Sequence, residues 1–258
     1  MRMPRLRRGF DPETERALAQ ARPLVAQARH AIALTGAGIS TPSGIPDFRS
    51  PSSGLWVMED PMEVASIWAF RRRPEAFFEW VRPLADSILA AMPNPAHVAL
   101  AHAENMGKLK AIVTQNIDDL HQRAGSRQVL ELHGHLREAT CIRCFRVVPG
   151  VVALERFMQT GTPPHCACGG VLKPNVILFG EMLPQDILVR AQEQARAADL
   201  MIIVGSSLEV APASDLPLLA VESGARLIVI NYDPTPLDGE ADIVIREDAA
   251  RVLPALFK

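Results

Sequence analysis

The stretch that decides the fold is AIALTGAGISTPSGIPDFRS, residues 31–50. It opens with residues 31–35, a short apolar run that predicts a buried strand. Gly36 and Gly38 follow at once, and this spacing allows a tight turn in which a phosphate approaches main-chain N–H groups. A strand and loop of this kind are typical of a dinucleotide-binding fold. A lone Gly-x-Gly is weak evidence, however, and a Gly/Pro-rich surface loop is the alternative.

The loop departs from the usual dinucleotide fingerprint after Gly38. Thr41 stands where a third glycine is expected, and Pro42 and Pro46 prevent a helix from continuing out of the loop. The excursion ends at residues 47–49 with an acid, an aromatic and a base, which together could fold over a ligand. No acid follows the glycines at the spacing expected to hold an adenosine ribose, and this disfavours an ordinary NAD dehydrogenase.

The composition is ordinary for a soluble globular protein of one large domain or two smaller ones. The chain has 258 residues and a formal net charge of −2, so there is no basic field to indicate nucleic-acid binding. The basic N-terminus, MRMPRLRRG, is not apolar enough for a signal peptide, and no apolar run reaches membrane-spanning length. We therefore expect a cytoplasmic monomer without membrane or nucleic-acid partners.

Strands alternate with helices along the chain, which predicts an α/β fold with a doubly wound parallel sheet. The predicted strands are 31–35, 110–114, 128–132, 200–204, 226–230 and 243–245, and the predicted helices include 11–29, 94–105, 184–198, 212–223 and 248–257. Small or polar clusters follow most of the strands: GAG (36–38), QNID (115–118), HGH (133–135), GSS (205–207) and NYD (231–233). Because ligands bind beyond the carboxyl ends of such strands, these clusters are expected to converge on one crevice.

The four cysteines of the chain all lie between positions 141 and 168. Cys141 and Cys144 form a CxxC pair, and Cys166 and Cys168 form a CxC pair. Without an export signal, two such pairs favour a tetrahedral zinc over disulfides, with redox-active or buried free thiols as the alternative. Four protein ligands would make the zinc structural rather than catalytic. His165 is the substitute ligand if a thiol of the tighter CxC pair cannot reach the metal.

The motifs taken together resemble those of the sirtuins, the NAD-dependent protein-lysine deacylases. The matching strings are GAGIS (36–40), GIPDFR (44–49), TQNIDDLH (114–121), ELHG (131–134), the four cysteines, LKPNVILFGE (172–181), GSSLEVAPA (205–213) and NYDPTP (231–236). They follow the family's order from about residue 31 to the C-terminus. The pattern looks most like that of bacterial and archaeal members with a short N-terminus.

The resemblance implies two domains. Residues 1–49, 93–138 and 172–258 would form a Rossmann-like NAD-binding domain. Residues 50–92, a helical insertion, and residues 139–171, a zinc-ribbon module, would form a small domain. NAD would be consumed as a co-substrate and one structural zinc would be bound per chain. Acyl-lysine proteins or peptides would be the substrates, and free lysine, nicotinamide and O-acyl-ADP-ribose the products.

The resemblance also implies roles for single residues. His133 would be the general base, because a histidine titrates near neutrality and can remove a proton from a ribose hydroxyl, and Asn116 and Asp118 would be further catalytic residues. The residues expected to contact NAD are Gly36, Ala37, Gly38, Ser40, Asp47, Phe48, Arg49, Gln115, Asn116, Ile117, Asp118, Gly205, Ser206, Ser207, Asn231, Tyr232, Asp233 and Ala249. The substrate peptide would add as a strand between two edges. These edges would be formed by Val176, Ile177, Phe179, Gly180, Glu209 and Val210.

Several alternatives stay open at this point. His135 would share a face with His133 in an extended strand, although it matches nothing in the family motif. His121 is interpreted as structural, held by a hydrogen bond. Family members that prefer succinyl or malonyl groups carry a Tyr-x-x-Arg pair where this chain has Val81 and Leu84, which favours acetyl or other uncharged acyl groups. The rival functions are an ADP-ribosyltransferase and a non-catalytic NAD sensor.

Overall fold

A computed structural model of the chain describes residues 9–47 and 60–258. Its helices and strands alternate through most of this length. In chain order they are α1 (Pro12–Gln27), β1 (Ala31–Thr35), α2 (Pro61–Val64), α3 (Ile67–Arg72), α4 (Pro74–Ala90), α5 (Pro95–Asn105), β2 (Ala111–Thr114), α6 (Leu120–Arg123), β3 (Val129–Glu131), β4 (Gly134–Cys141), β5 (Val147–Pro149), α7 (Gly150–Thr160), β6 (Leu172–Val176), α8 (Gln185–Ala197), β7 (Leu200–Val204), α9 (Leu216–Glu222), β8 (Arg226–Ile230), β9 (Ile243–Ile245) and α10 (Ala249–Leu256).

The central sheet is parallel throughout. Within the described residues its strand order is β3-β2-β1-β7-β8-β9, so the order reverses between β1 and β7. This is the topology of a doubly wound dinucleotide-binding sheet, whose ligands bind at the reversal point. The predicted α/β fold class is therefore confirmed, and β1, β7, β8 and β9 have the predicted bounds.

Both faces of the sheet are covered by helices, which explains why its strands are continuous apolar runs. All five residues of β1 are buried. Ala31 and Ala33 pack in the cluster formed with α1, α5 and α10, whereas Ile32 and Leu34 pack in the opposite cluster with α8 and α9. Successive side chains of a strand point to opposite faces, so a strand covered on both sides needs apolar residues at every position.

Two helix starts illustrate how the sequence sets the boundaries. The carboxylate of Asp11 accepts hydrogen bonds from the N–H groups of Glu13 and Thr14, each at 3.0 Å, and so caps α1. The helix predicted over residues 212–223 is shorter than expected, because a 3₁₀ turn at Ala213–Asp215 precedes α9. Pro217 lacks an N–H group and favours the first turn of a helix over its interior, so α9 starts next to it.

A second sheet leaves the central one at Gly134. It is antiparallel, with the strand order β5-β4-β6, and extends from Gly134 to Val176, beyond the expected module of residues 139–171. Gly134 has φ +74°, and a Cβ atom there would lie 2.0 Å from the carbonyl oxygen of Asn175. Only glycine fits this contact, so the residue that follows His133 fixes the junction between the two sheets.

The helical insertion and the cysteine-rich segment share one apolar core. The ring of Phe78 in α4 lies 5.0 Å from the ring of Phe157 in α7, and the guanidinium of Arg82 lies 4.6 Å above Phe157. Phe70 and Phe77 complete a buried aromatic cluster. The two segments therefore support each other although they are far apart in sequence. None of the helices in the described parts of the chain has the length and apolar character needed to cross a bilayer.

Two buried histidines lie beneath the ends of β1 and β2. Nε2 of His121 is 2.9 Å from Oγ1 of Thr35, which is the hydrogen bond predicted for it. Nδ1 of His97 accepts the N–H of Asn94 at 3.3 Å, and the two imidazole rings are 4.9 Å apart. Burial lowers the pKa of His97 to about 4 and holds the pKa of His121 well below its ordinary value. Both rings are thus neutral in the folded protein at neutral pH.

We expect the free energy of unfolding to decrease as the pH falls from about 6.5 to 4. In this window the unfolded histidines bind protons before the folded ones do, at up to about 1.4 kcal/mol per pH unit for each histidine. Below the folded pKa both states are protonated and the loss is complete. Urea denaturation between pH 7 and 4 measures this slope.

A His97→Gln variant should show a shallower slope, because glutamine can accept the same N–H of Asn94 but does not titrate. His102→Gln is the matched control, since His102 is exposed on the same helix and its replacement should leave the slope unchanged. Equal slopes in His97→Gln and the wild type would contradict the assignment.

Candidate active site

A cavity of about 620 Å³ opens where β1, β2, β7 and β8 end. The polar clusters that follow these strands converge on it, as the sequence predicts. The predicted site residues in its lining are Gly36, Ala37, Gly38, Ser40, Asp47, Gln115, Asn116, Ile117, Asp118, His133, Val176, Ile177, Phe179, Gly180, Gly205, Ser206, Ser207, Glu209, Val210, Asn231, Tyr232, Asp233 and Ala249. Phe48 and Arg49, which were predicted with them, lie outside the described residues.

The floor of the cavity is a contact between two main-chain loops. The N–H of Gly36 donates to the carbonyl of Val204 at 3.0 Å, and the N–H of Gly38 donates to the carbonyl of Gly205 at 2.9 Å. A Cβ atom on Gly38 would lie 2.7 Å from Cα of Gly205. Glycine is therefore required at this position, and the floor is bare main chain at the reversal point of the sheet.

Asn116 and Asp118 are held in one hydrogen-bond network behind this floor. Nδ2 of Asn116 donates to the carbonyl of Gly36 and to Oγ of Ser40, both at 3.1 Å. Oγ of Ser40 donates to Oδ2 of Asp118 at 2.6 Å, and the N–H of Leu120 donates to Oδ1 at 2.9 Å. Burial raises the pKa of the Asp118 carboxyl, and these two hydrogen bonds oppose that effect. The network fixes the orientation of both side chains.

The network has a further member that the sequence did not reveal. Nε2 of His97 lies 3.5 Å from Oγ of Ser40, and His97 does not itself line the cavity. In the sequence, the helix that carries His97 also contains His102, Glu104 and Asn105, and nothing in that pattern distinguishes His97 from a core histidine.

His133 stands at the junction of the two sheets. Its carbonyl accepts the N–H of Ile177 at 2.9 Å, and its Nδ1 lies 3.0 Å from the carbonyl oxygen of Gln115. A carbonyl only accepts hydrogen bonds, so Nδ1 carries the proton and the lone pair of the neutral ring is on Nε2. This tautomer can accept a proton at Nε2. His135 is not among the lining residues, and its buried Nδ1 has no hydrogen-bond partner within the described residues.

One rim of the cavity is the segment from Val176 to Gly180. The N–H of Phe179 donates to the carbonyl of Ala65, and the carbonyl of Phe179 accepts the N–H of Ile67, both at 3.0 Å. Nζ of Lys173 donates to the carbonyl of Val176 at 2.8 Å. The segment is thus extended and fixed from both sides. Glu209 and Val210 line the cavity as well, in the loop that follows β7.

The part of the lining formed by α4 is apolar, and of this wall only Val81 and Leu84 were singled out from the sequence, through the resemblance to the family. Seven residues of α4 contribute to it: Phe77, Phe78, Trp80, Val81, Leu84, Ala85 and Ile88. In the sequence these residues form an ordinary helical core pattern, and the same face does pack in the aromatic core. A helix face that both packs in the core and lines a cavity has the same apolar pattern in the sequence as a face that only packs in the core.

The four cysteines come together at one point of the second sheet. The Sγ atoms of Cys141 and Cys168 are 3.5 Å apart, those of Cys144 and Cys166 are 3.7 Å apart, and all four lie within 4.8 Å of one another. Tetrahedral coordination at Zn–S distances of about 2.3 Å requires sulfur–sulfur separations of about 3.8 Å. The N–H groups of Cys144 and Arg143 lower the pKa of the Cys141 thiol to about 6. The donor set therefore fits a zinc ion.

His165 is not part of this cluster. Its Nδ1 lies 2.8 Å from the carbonyl oxygen of Pro163, and the thiols alone supply four ligands. The substitute ligand considered from the sequence is not needed.

Comparisons with known proteins agree with this geometry. A model of the Sir2 family matches residues 36–212 of the chain. The chain is 48% identical over 233 residues to an NAD-dependent protein deacetylase of Sulfurisphaera tokodaii, which covers 90% of this chain and 92% of the relative.

Solved structures are similar over nearly the whole chain. A Sir2 enzyme structure has a TM-score of 0.89 at 46% identity, with 94% of this chain and 97% of that chain covered. A Sir2 structure with a deacetylated p53 peptide and 3′-O-acetyl ADP ribose has a TM-score of 0.88 at 40% identity, with 93% and 96% covered. On the combined evidence of sequence, fold and family match, the chain belongs to the Sir2 family.

Proposed function

We propose that this chain is an NAD-dependent protein-lysine deacylase that moves an acyl group from lysine to ADP-ribose and releases nicotinamide. The observation that carries the proposal is the meeting of His133, Asn116, Asp118 and the glycine floor in one cavity of a Sir2-family chain. The deacetylase named among its relatives and the solved structure with acetyl ADP ribose support it.

NAD supplies the ribose carbon that nicotinamide leaves and the hydroxyl groups that receive the acyl group. The glycine floor with Ala37 suits the diphosphate, because main-chain atoms can approach it closely there. Gln115, Asn116, Ile117 and Asp118 follow β2 and would hold the nicotinamide ribose and carboxamide. The adenosine end would meet the residues that follow β7, β8 and β9, namely Ser206, Ser207, Asn231, Tyr232, Asp233 and Ala249. Asp47, with Phe48 and Arg49, would cover the nicotinamide ribose.

His133 is proposed as the general base. With the proton of its ring on Nδ1 and directed at the carbonyl of Gln115, Nε2 accepts the proton of a ribose hydroxyl. Asn116 and Asp118 hold the ribose and the leaving nicotinamide, and Ser40 keeps both side chains in place. Because the side chains of Asn116 and Asp118 are already oriented by this network, they need not move for the reaction.

The substrate peptide is proposed to lie as an added strand between the segment around Val176–Gly180 and the loop with Glu209 and Val210. Main-chain hydrogen bonds would supply its affinity, which explains how one groove accepts many sequences. The acyl group would point towards the apolar wall of α4. Val81 and Leu84 line that wall and carry no charge, so an uncharged acyl group is favoured.

The remaining assignments extend this proposal. The zinc would be held by Cys141, Cys144, Cys166 and Cys168 and would stabilise the second sheet without taking part in the reaction. We also propose the domain division of a Rossmann-like unit, residues 1–49, 93–138 and 172–258, and a small domain, residues 50–92 and 139–171. A monomeric state and a cytoplasmic location are further parts of the proposal.

Replacement of His133 by alanine should reduce deacetylation by at least about 100-fold, the range expected for loss of a general base. The measurement is mass spectrometry of an acetyl-lysine peptide incubated with and without NAD, with nicotinamide and O-acetyl-ADP-ribose counted. The wild type should form both products in equal amounts and only with NAD. His135→Ala is the matched control, because His135 does not line the cavity, and it should retain activity.

Other outcomes of this experiment would change the assigned function or the assigned role of His133. Transfer of ADP-ribose mass to a protein while the peptide keeps its acetyl group would indicate a transferase. Unchanged NAD with all peptides would indicate a binding protein. An active His133→Ala variant would remove His133 from the proposed role.

The kcat/KM for an acetyl peptide should exceed that for the matching succinyl peptide by about tenfold or more, because a carboxylate without a partner is costly to bury. Leu84→Arg should lower the ratio of acetyl to succinyl kcat/KM, because it supplies a cation in the cavity wall for the succinyl carboxylate. Leu89→Arg, on the exposed side of the same helix, should leave the ratio unchanged. A wild type that prefers the succinyl peptide would contradict the assignment.

Purified protein should contain one zinc per chain by native mass spectrometry. Cys144→Ala should lose the metal and, if several kcal/mol of stability is lost with it, show a melting temperature lower by about 10 °C at about 2–4 °C per kcal/mol. Cys144 is chosen because it is exposed, so its replacement leaves no core cavity. His165→Ala should keep the zinc, and loss of the metal in that variant would show that the ligand set is wrong.

A further inference from the structure

We propose that an exposed face of α3, formed by Trp68, Arg71 and Arg72 and here called the α3 face, is a subsite of the peptide groove. It selects acyl-lysine substrates that carry an acidic residue close to the modified lysine. This inference rests on the proposed deacylase function, because it extends the groove in which the substrate peptide would lie.

The start of α3 is fixed to the rim of that groove. The N–H of Ile67 donates to the carbonyl of Phe179, and the N–H of Phe179 donates to the carbonyl of Ala65, so Ser66 and Phe179 form a parallel bridge. Oγ of Ser66 accepts the N–H of Ala69 at 3.1 Å and caps the helix. The helix therefore keeps a constant register with the segment that ends at Gly180.

Trp68 lies directly against the end of that segment. A Cβ atom on Gly180 would be 2.2 Å from Cη2 of the indole, so the ring occupies the space that any other side chain at position 180 would need. The neighbouring Ile67, Ala69 and Phe70 are buried, but Trp68 remains 58% exposed. An aromatic ring at the rim of a groove, packed on one face and open on the other, is a contact surface for a side chain of a bound peptide.

Arg71 and Arg72 follow Trp68 by three and four positions, and such residues share one face of a helix. Both are exposed. Within the described residues the salt bridges engage other arginines, namely Arg127, Arg137, Arg226, Arg246 and Arg251. The acids on the flanking helices, Glu63 and Glu75, form no salt bridge with the α3 face within this part of the chain.

A carboxylate is the partner that suits two guanidinium groups beside an aromatic ring. Arginine binds carboxylates through paired N–H groups, and the indole provides apolar area for the adjoining methylenes. The other side of the groove carries the acid Glu209. The α3 face is thus the end of the groove where a substrate carboxylate is favoured by charge.

The test uses acetyl-lysine peptides that differ only in one residue, Glu, Gln or Lys, placed two to four positions before or after the lysine. On one side of the lysine, wild-type kcat/KM should be about two- to fivefold higher for Glu than for Gln, as expected for exposed charge pairs. The ratio should approach one at 1 M salt, where the Debye length is about 3 Å. The double variant Arg71→Glu/Arg72→Glu should reverse the order of the Glu and Lys peptides.

Two further variants separate the subsite from a general effect. Arg190→Glu, exposed on α8, makes a charge change outside the groove and should leave the ratio at its wild-type value. Trp68→Ala should raise the KM for the peptide while leaving the KM for NAD unchanged.

Equal kcat/KM for the Glu and Gln peptides at low salt would overturn the subsite. A preference for the Glu peptide that persists in the Arg71→Glu/Arg72→Glu variant would overturn it as well. Deacylation of the neutral Gln peptide reports separately on the proposed function. Its absence with NAD present would overturn the deacylase assignment and the subsite with it, whereas its presence without an acid preference would overturn the subsite alone.

Discussion

The contact between the Gly36–Gly38 loop and Gly205 is the constraint on which the site depends. It joins the two halves of the sheet at the point where the strand order reverses, and it brings main chain against main chain at 2.9 Å. Side chains at these positions would push the loops apart. Asn116 then uses the carbonyl of Gly36 as one of its two acceptors, so the orientation of the polar network depends on the same contact.

His133 connects this floor to the rest of the molecule. Its ring is oriented from β2 through the carbonyl of Gln115, and its main chain holds Ile177 at the beginning of the rim segment. Gly134 then turns the chain into the second sheet. The proposed base and the cysteine-bearing sheet are therefore consecutive in the chain, and the proposed peptide edge is tied to the base by a main-chain hydrogen bond. A displacement of any of them changes the geometry of the other two.

Much of this could be predicted from the sequence, and the reasons differ by element. Strands such as β1 and β7 are buried on both faces, so their apolar runs define their bounds without ambiguity. The glycine loop and the polar clusters are recognisable in the sequence because glycines and polar side chains in a row are not expected in an apolar core. Gly134 and Val176 were not expected to bound the second sheet, because β4 and β6 pair with a shift in register and show no simple alternation.

His97, Trp68 and the α4 wall beyond Val81 and Leu84 could not have been found in the sequence for a common reason. Their significance lies in what they contact across long stretches of chain, whereas their local patterns are those of a core helix, a core histidine and a surface aromatic residue.

The shared aromatic core has a consequence for how this protein can diversify. Phe78 and Phe157 tie the helical insertion to the cysteine-rich module, while the NAD-facing floor is built by a separate set of strands. Substitutions on the cavity side of α4 can thus change the acyl-binding wall while the main-chain contacts of the floor stay in place. The floor and the acyl-binding wall are thus built by separate sets of elements within a single chain.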